Sequence, residues 1–362
     1  MSDPVQKHYQ SYPYPHYPLI ASVRRCDTYA LNLDALWGRF NRMLPPPEAK
    51  KILIAGCGTF APYPWSVANP DVPITALDLS EKSLRRARLH CALHGRTNII
   101  YRCGDLSDQA AIDGEFGLID SYGVLHHLED PLAGLKSLER RLVPGGILRI
   151  MLYSRYARRE EESIRRALRM LGIDTPRNAR AMLNRAASGS RLANYLAASD
   201  EAVTVSGLAD ALLHPRVHTY RVDQLLEVIA QTGLELLMFA HGDALENPRD
   251  EIKRLISLEK ERRSPGNFVL YLGKRIAKVD RSRGDSMVML NPCMVSAVSR
   301  FAFGTLQIPP RIGVSNPLLK YRDKGFLRQF VTPVRSIDLS AEEADHVAVY
   351  KRLLFLLEYE NY

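Results

Sequence analysis

The chain has 362 residues, 46% of them apolar, and a surplus of nine positive charges; this length exceeds what one core usually organises, so a main domain of roughly 250 residues plus something smaller is expected. Five cysteines (Cys26, Cys57, Cys91, Cys103 and Cys293) lie far apart with no C-x-x-C pair, which argues against a disulfide framework or a zinc knuckle and fits reduced thiols in a cytoplasmic protein. No run approaches the ~18 apolar residues that cross a bilayer, the start MSDPVQKHYQ lacks an apolar core, and the charge permits an anionic partner without identifying one.

The first fifty residues read as a tyrosine- and proline-rich strap, YQSYPYPHYP, and then a helically spaced region from Asp27 to Leu44 ending at PPPEAK. From Lys51 a β-then-α rhythm begins. The runs KILIAG, ITALDLS, NIIYRCGD, GLIDSYGV, GILRIMLYS, LELLMFAH and FVLYLGKR are short enough to be buried strands. A helix is predicted from its cap Ser80, with Leu84, Ala87 and Cys91 on one stripe and Gly95 as its stop. Another opens at Pro131, carries Leu132, Leu135, Leu138 and Leu142 along one face, and ends at PGG. Seven strands alternating with helices predict an α/β domain over 51–276, built on a doubly wound, mostly parallel sheet.

Two segments stand outside that rhythm. About sixty residues, 155–220, separate the fifth and sixth strands, too many for a loop, so a helical insertion capping the substrate side is expected there. Between Tyr153 and Arg191 ten arginines meet four acids, which reads either as a solvated helical face or as an anion-recognition surface. The run KVDRSRGDS looks like a linker, and 285–362 reads as a C-terminal accessory domain with a last helix whose Ser340 and Glu343 have capping-box spacing.

Ligands of such a sheet sit outside the carboxyl ends of its strands. There, Gly56 and Gly58 let the backbone approach a ligand, and Asp78, about 20 residues on, suits a ribose diol. Asp105 ends the third strand, placed to reach an adenine amino group. A GxG loop followed by an acid fits a nicotinamide enzyme and an S-adenosylmethionine enzyme alike, and also a plain tight turn with Asp78 capping the next helix.

The later stretches GDL, GVLHHLEDP and LVPGGILRI, in this order and spacing, resemble class I S-adenosylmethionine-dependent methyltransferases from Lys51 to about Arg275. The family's third loop glycine is Phe60 here, and Ala55 replaces the acid often found before the first glycine. LIAGCGT, LDLSEKSLRRAR, GVLHHLEDPLAG and LYSRYARR, with the tyrosine-proline motif at Tyr9 to Tyr17, are similar to a bacterial branch often fused to tetratricopeptide repeats; this sequence has no such repeats. The resemblance implies a Rossmann-like methyltransferase sheet with S-adenosyl-L-methionine as cofactor and S-adenosyl-L-homocysteine as product. It implies that Gly56, Cys57 and Gly58 line the methionine and ribose, Asp78 takes the ribose hydroxyls, and Leu79 packs on adenine. Asp105 and Leu106 then hold the adenine edge, and Tyr122, Gly123 and Val124 lie under the sulfonium.

A sulfonium methyl is already activated, so the enzyme's task is chiefly to align the acceptor and exclude water, with a base only where a proton must leave. His127 is the candidate base, ahead of its neighbour His126, although a histidine pair at such a turn is commonly structural. Tyr14 and Tyr17, with Tyr9, form either an aromatic lid over the sulfonium or a strap packed on the domain. Tyr153, Tyr156, Arg158, His214 and His218 are assigned to the substrate pocket. His214 and His218 have i, i+4 spacing, but Pro215 between them disfavours a regular helix, so no metal is expected. The leading function is methyl transfer to a small-molecule or peptide-like acceptor. RNA methylation, nicotinamide oxidoreduction and a non-catalytic binder are the alternatives.

Overall fold

Seven strands build the central sheet: β1 (Ile52–Ala55), β2 (Ile74–Asp78), β3 (Ile99–Cys103), β4 (Phe116–Tyr122), β5 (Leu142–Leu152), β6 (Leu234–Phe239) and β7 (Phe268–Lys274). In this computed structural model, which describes residues 3–275 and 286–360, their spatial order is β3-β2-β1-β4-β5-β7-β6. Pairings from β3 to β5 are parallel, while β7 runs antiparallel between β5 and β6. The strand order reverses between β1 and β4, where a ligand crevice is expected beyond the strand ends. Most of the linker-like run 278–286 lies outside the described residues.

Local chemistry sets the helices between these strands. They are α1 (Pro4–Ser11), α2 (Leu33–Asn41), α3 (Pro62–Ala68), α4 (Glu81–Leu93) and α5 (Pro131–Arg140). Ser80 caps α4 by accepting from the Ser83 amide, and Asp130 caps α5 by accepting from Ala133, with Pro131 as the first helical residue. The stretch expected to end α5 at PGG instead belongs to the sheet. Helix α5 stops at Arg140 and β5 already begins at Leu142, with a register shift against β4 between Phe116 and Leu118.

The insertion folds as α6 (Arg159–Met170), α7 (Pro176–Leu183), α8 (Arg191–Ala198) and α9 (Val205–Leu208), followed by a π-helical turn over Ala209–Leu213. It has an apolar cluster of its own, including Ile164, Leu168, Leu183 and Tyr195. Of its arginines, Arg158 and Arg165 are buried while seven of the ten are exposed, so the cluster is mostly a solvated face. Helices α10 (Val222–Ala230) and α11 (Pro248–Lys260) complete the domain.

The tail contributes β8 (Ser286–Leu290), α12 (Tyr321–Arg328), β9 (Val334–Arg335), α13 (Ala341–Arg352) and β10 (Leu356–Glu360), with a small antiparallel sheet in the order β10-β8-β9 that the sequence pattern did not reveal. Ser340 and Glu343 form the expected capping box. Trp37 of α2, Tyr271 of β7, Met294 and Phe355 share one buried apolar cluster. The tail is therefore packed onto one face of the main sheet. Tyr29 ties it down: its hydroxyl accepts from the Arg311 amide (3.0 Å) and Asn316 Nδ2 (3.1 Å).

Candidate active site

A cavity of about 1510 Å³ lies beyond the carboxyl ends of β1 to β5. Single-ligand pockets usually measure about 300–1,000 Å³, so this one has room for a cofactor and an acceptor.

One end is made by the strand-end loops. Gly56 has φ +81°, and a Cβ on it would stand 2.3 Å from Val124 Cγ2; on Gly58, at φ +56°, a Cβ would stand 2.6 Å from the Tyr14 carbonyl oxygen. Both positions therefore require glycine, one to admit the β4 turn and the other to admit the strap. The buried Asp78 carboxylate accepts from the Gly58 amide (2.7 Å) and the Ser80 amide (2.8 Å). Each of its oxygens keeps a second lone pair. Burial raises this carboxyl to about 6. Burial likewise pushes the Cys57 thiol well up, so it sits in the loop as a neutral group. Asp105 accepts from the Ser107 amide at 2.7 Å. Cys57, Leu79, Asp105, Leu106, Tyr122, Gly123 and Val124 all line this end.

The strap closes over that loop. The Thr59 amide donates to the Tyr14 carbonyl at 3.1 Å, its hydroxyl donates to the Pro15 carbonyl, and Ser80 Oγ donates to the Tyr9 carbonyl at 3.2 Å. Phe60, where the resemblance leads one to expect glycine, packs its ring 4.3 Å from that of Tyr17. The departure thus serves the strap. Tyr9 belongs to α1, not to an extended segment.

The other end gathers distant pieces. His127, Tyr14, Tyr153, Arg158, Glu201 and Asp210 line it together with Tyr9. Asp210, on the π-helical turn, is buried, and the Tyr9 hydroxyl donates to it at 2.8 Å. Burial raises its carboxyl to about 7. His127 Nδ1 donates to the Arg216 carbonyl at 2.8 Å, and the Arg216 amide donates to His214 Nδ1 at 3.1 Å. The two rings stack 3.7 Å apart. Burial lowers His127 to about 3 and His214 further still, with Arg165 adding to both shifts, so both are neutral. Arg158 donates to the two Glu201 oxygens (2.8 and 3.1 Å) and lies 4.0 Å over the Tyr153 ring; Arg158 is buried, its partner Glu201 is partly exposed, and the pair lies along the cavity wall.

The remaining expected residues fall elsewhere. Tyr156, His214 and His218 do not line the cavity; His214 stands behind His127, and His218 pairs through Nε2 with the Leu128 carbonyl at 3.0 Å. One ring nitrogen each from His127 and His214 and a carboxylate oxygen of Asp210 lie within 4.8 Å of one another. The donor chemistry does not suit a cation: the Arg216 amide fills His214 Nδ1 and leaves the proton on Nε2. Asp210 escaped sequence reasoning, its only signal being a lone acid inside the apolar run GLADALL. Asp120 escaped it the same way within β4, where it accepts from Arg149 Nε (2.7 Å) and Trp65 Nε1 (3.0 Å).

Residues 53–150 match the model of a methyltransferase domain family. The chain is 28% identical to an uncharacterized protein of Synechococcus over 82% of this chain and 78% of that relative. It is 33% identical to the ubiquinone biosynthesis O-methyltransferase of Thiobacillus denitrificans over 28% of this chain and 43% of the enzyme, so the likeness spans less than half of that relative. Among solved structures, PKMT2 from Rickettsia typhi in complex with AdoHcy aligns over 96% of this chain and 78% of its own, at 17% identity and a TM-score of 0.57, which is a likeness of fold. The sheet order, the glycine loop held by the Asp78 carboxylate and the matched family model agree on a methyltransferase domain over residues 53–150, on a Rossmann-like sheet.

Proposed function

We propose that the protein transfers a methyl group to a small-molecule or peptide-like acceptor held inside the cavity. The observation that carries this reading is the enclosure: α1 and the strap, the insertion, and tail residues Pro310, Arg311, Gly313 and Ser315 all contribute to the walls. When bound, the cofactor supplies a methyl already activated on a sulfonium. Gly56 to Gly58 hold its methionine end and ribose, Asp78 accepts from the ribose hydroxyls, and Leu79, Asp105 and Leu106 frame the base. Tyr122, Gly123 and Val124 would hold the sulfonium end, and the electron-rich rings of Tyr122 and Tyr14 on the cavity wall would favour a cation. Tyr153 and Arg158 face the acceptor, and the strap carrying Tyr14 and Tyr17 excludes water.

RNA fits the walls poorly. Ten acids and four arginines line the cavity, the reverse of a phosphate-binding surface. Calorimetry with S-adenosylmethionine, S-adenosylhomocysteine and NAD tests the cofactor side, and tight binding of NAD alone would overturn the reading. Methyl transfer insensitive to salt is expected; a steep fall between 50 and 200 mM, the scale on which extensive phosphate contacts show, would revive the RNA alternative.

A further inference from the structure

Resting on the methyl-transfer reading, we infer that the outer edge of the Arg149 guanidinium is a carboxylate-binding subsite of the cavity, filled by the acceptor or by the methionine of the cofactor. Asp120 and Arg149 are register partners on β4 and β5, and two residues earlier the partners Leu118 and Ile147 enter the apolar cluster shared with the tail. Side chains alternate along a strand, so the pair stands on the tail face of the sheet. Asp120 is buried there, and a buried charge is costly unless it is paired.

The pairing uses only part of the guanidinium. Asp120 accepts from Arg149 Nε at 2.7 Å with one oxygen and from Trp65 Nε1 at 3.0 Å with the other. Elsewhere in the chain an arginine donates through two nitrogens to both oxygens of its acid, as Arg24 does to Asp27, Arg254 to Glu251 and Arg158 to Glu201. The Trp65 indole prevents that here by occupying the second oxygen. Tyr271, whose hydroxyl donates to the Ala30 carbonyl at 3.3 Å, can take one further N–H. A guanidinium has five N–H donors, so most of the Nη edge is left over. Neither Nη nitrogen is a sealed orphan among the described residues, and Arg149 lines the cavity with its side chain 15% exposed. The unpaired edge therefore opens into the cavity.

Its surroundings select what binds. The guanidinium carbon lies 5.3 Å from the Trp65 ring and 4.9 Å from that of Tyr122, so aromatic rings pack beside it and hold the edge in place. Only donors are offered, which excludes an ammonium. A planar pair of N–H groups matches the two oxygens of a carboxylate. A phosphate dianion would bring a second charge to walls where Asp27, Asp120 and Asp243 already stand with Arg149 and Arg311. Two molecules can supply the carboxylate. The cofactor ends in an amino acid, and Tyr122, beside Arg149, belongs to the turn assigned to its sulfonium end; the acceptor shares the cavity.

Calorimetry separates the two sources. The probes are S-adenosylhomocysteine, 5′-methylthioadenosine, which keeps the adenosyl thioether but lacks the amino acid, and, on protein loaded with S-adenosylhomocysteine, benzoate and benzamide. Arg149→Lys keeps a charge beside Asp120 and removes the fork. If the cofactor fills the subsite, this variant is expected to weaken S-adenosylhomocysteine at least about tenfold, the scale of one charge-assisted hydrogen bond, and 5′-methylthioadenosine less than about twofold. If the acceptor fills it, benzoate is expected to bind at least about tenfold tighter than benzamide on the same scale; Arg149→Lys then abolishes that preference and leaves both adenosyl ligands unchanged. Trp65→Phe keeps the test available if Arg149→Lys does not fold: it frees the second Asp120 oxygen for the guanidinium, and the same carboxylate is expected to bind more weakly. Equal weakening of both adenosyl ligands, or no change in any of the four probes, would overturn the inference and leave Arg149 a structural partner of Asp120. Failure of the wild type to bind S-adenosylhomocysteine would instead refute the cofactor reading, and benzoate against benzamide on the unloaded protein would still test Arg149.

Discussion

At the strand-end side of the cavity, Gly56, Asp78 and Asp105 each sit at or within two residues of a strand terminus; at the opposite side, Tyr9 reaches Asp210 across 201 positions of sequence. The first end is made by backbone: amides, a carboxylate that organises them, and glycines whose missing Cβ atoms leave room. The second is made by side chains brought in from the strap, the β4 turn and the insertion. A site of the first kind tolerates little change in its loops but is indifferent to what lies beyond them. A site of the second kind can change its acceptor by exchanging the pieces it recruits.

The two ends are therefore expected to break separately. Gly56→Ala places a Cβ against Val124 at a positive φ, and about 3 kcal/mol of stability is expected to go, the sum of strain and clash, along with cofactor binding; thermal unfolding and calorimetry read both. Arg158→Met keeps the stem over Tyr153 but strands Glu201, whose side chain is 30% exposed. Water reaches that carboxylate, so a loss of about 2–3 kcal/mol is expected, below the usual range for a fully buried pair. Cofactor affinity should stay unchanged, and a fall matching that of an Asp78 variant would show that the ends are coupled. Asp78→Ala is expected to weaken S-adenosylmethionine by about 2 kcal/mol through lost charge-assisted bonds, more if the Gly58 amide loses its order; unchanged affinity would remove Asp78 from the site.

The pH dependence refines this. Burial raises Asp78 from 3.8 to about 6, so as pH falls the folded protein takes up this proton before the unfolded chain does. Stability from this group consequently rises between about 6 and 4, while cofactor affinity falls through the same window because the anion is being lost. Titration by calorimetry from pH 8 to 5 should show the fall, and a flat profile would contradict the assignment. The smallest effect is expected for Tyr17→Ala. Tyr17 is 46% exposed and only its ring contact with Phe60 is lost, about 1 kcal/mol or less, seen as slightly weaker cofactor binding.

How much was legible follows from how each part is specified. All seven strands of the main sheet were visible as short apolar runs, and the helix signals Ser80 and Pro131 sit at the starts of the helices they mark. The small sheet β10-β8-β9 was not, because β8 and β10 lie 65 or more positions apart and neither carries a turn signal to its partner. Asp210 reads as an outlier in an apolar run, and nothing local says that it faces Tyr9, whereas His127 stands out by type but is neutralised by burial that the chain only acquires on folding.

The chain's own pattern settled the rhythm of strands and helices, the glycine loop and the carboxylate after β2, since each depends on neighbours within a few residues. The packing of strap, insertion and tail decided what the far end of the cavity is: which carboxylate is raised and which imidazole nitrogen carries its proton. Those properties are set by desolvation and by hydrogen bonds between distant segments, and they come into being only when the segments meet.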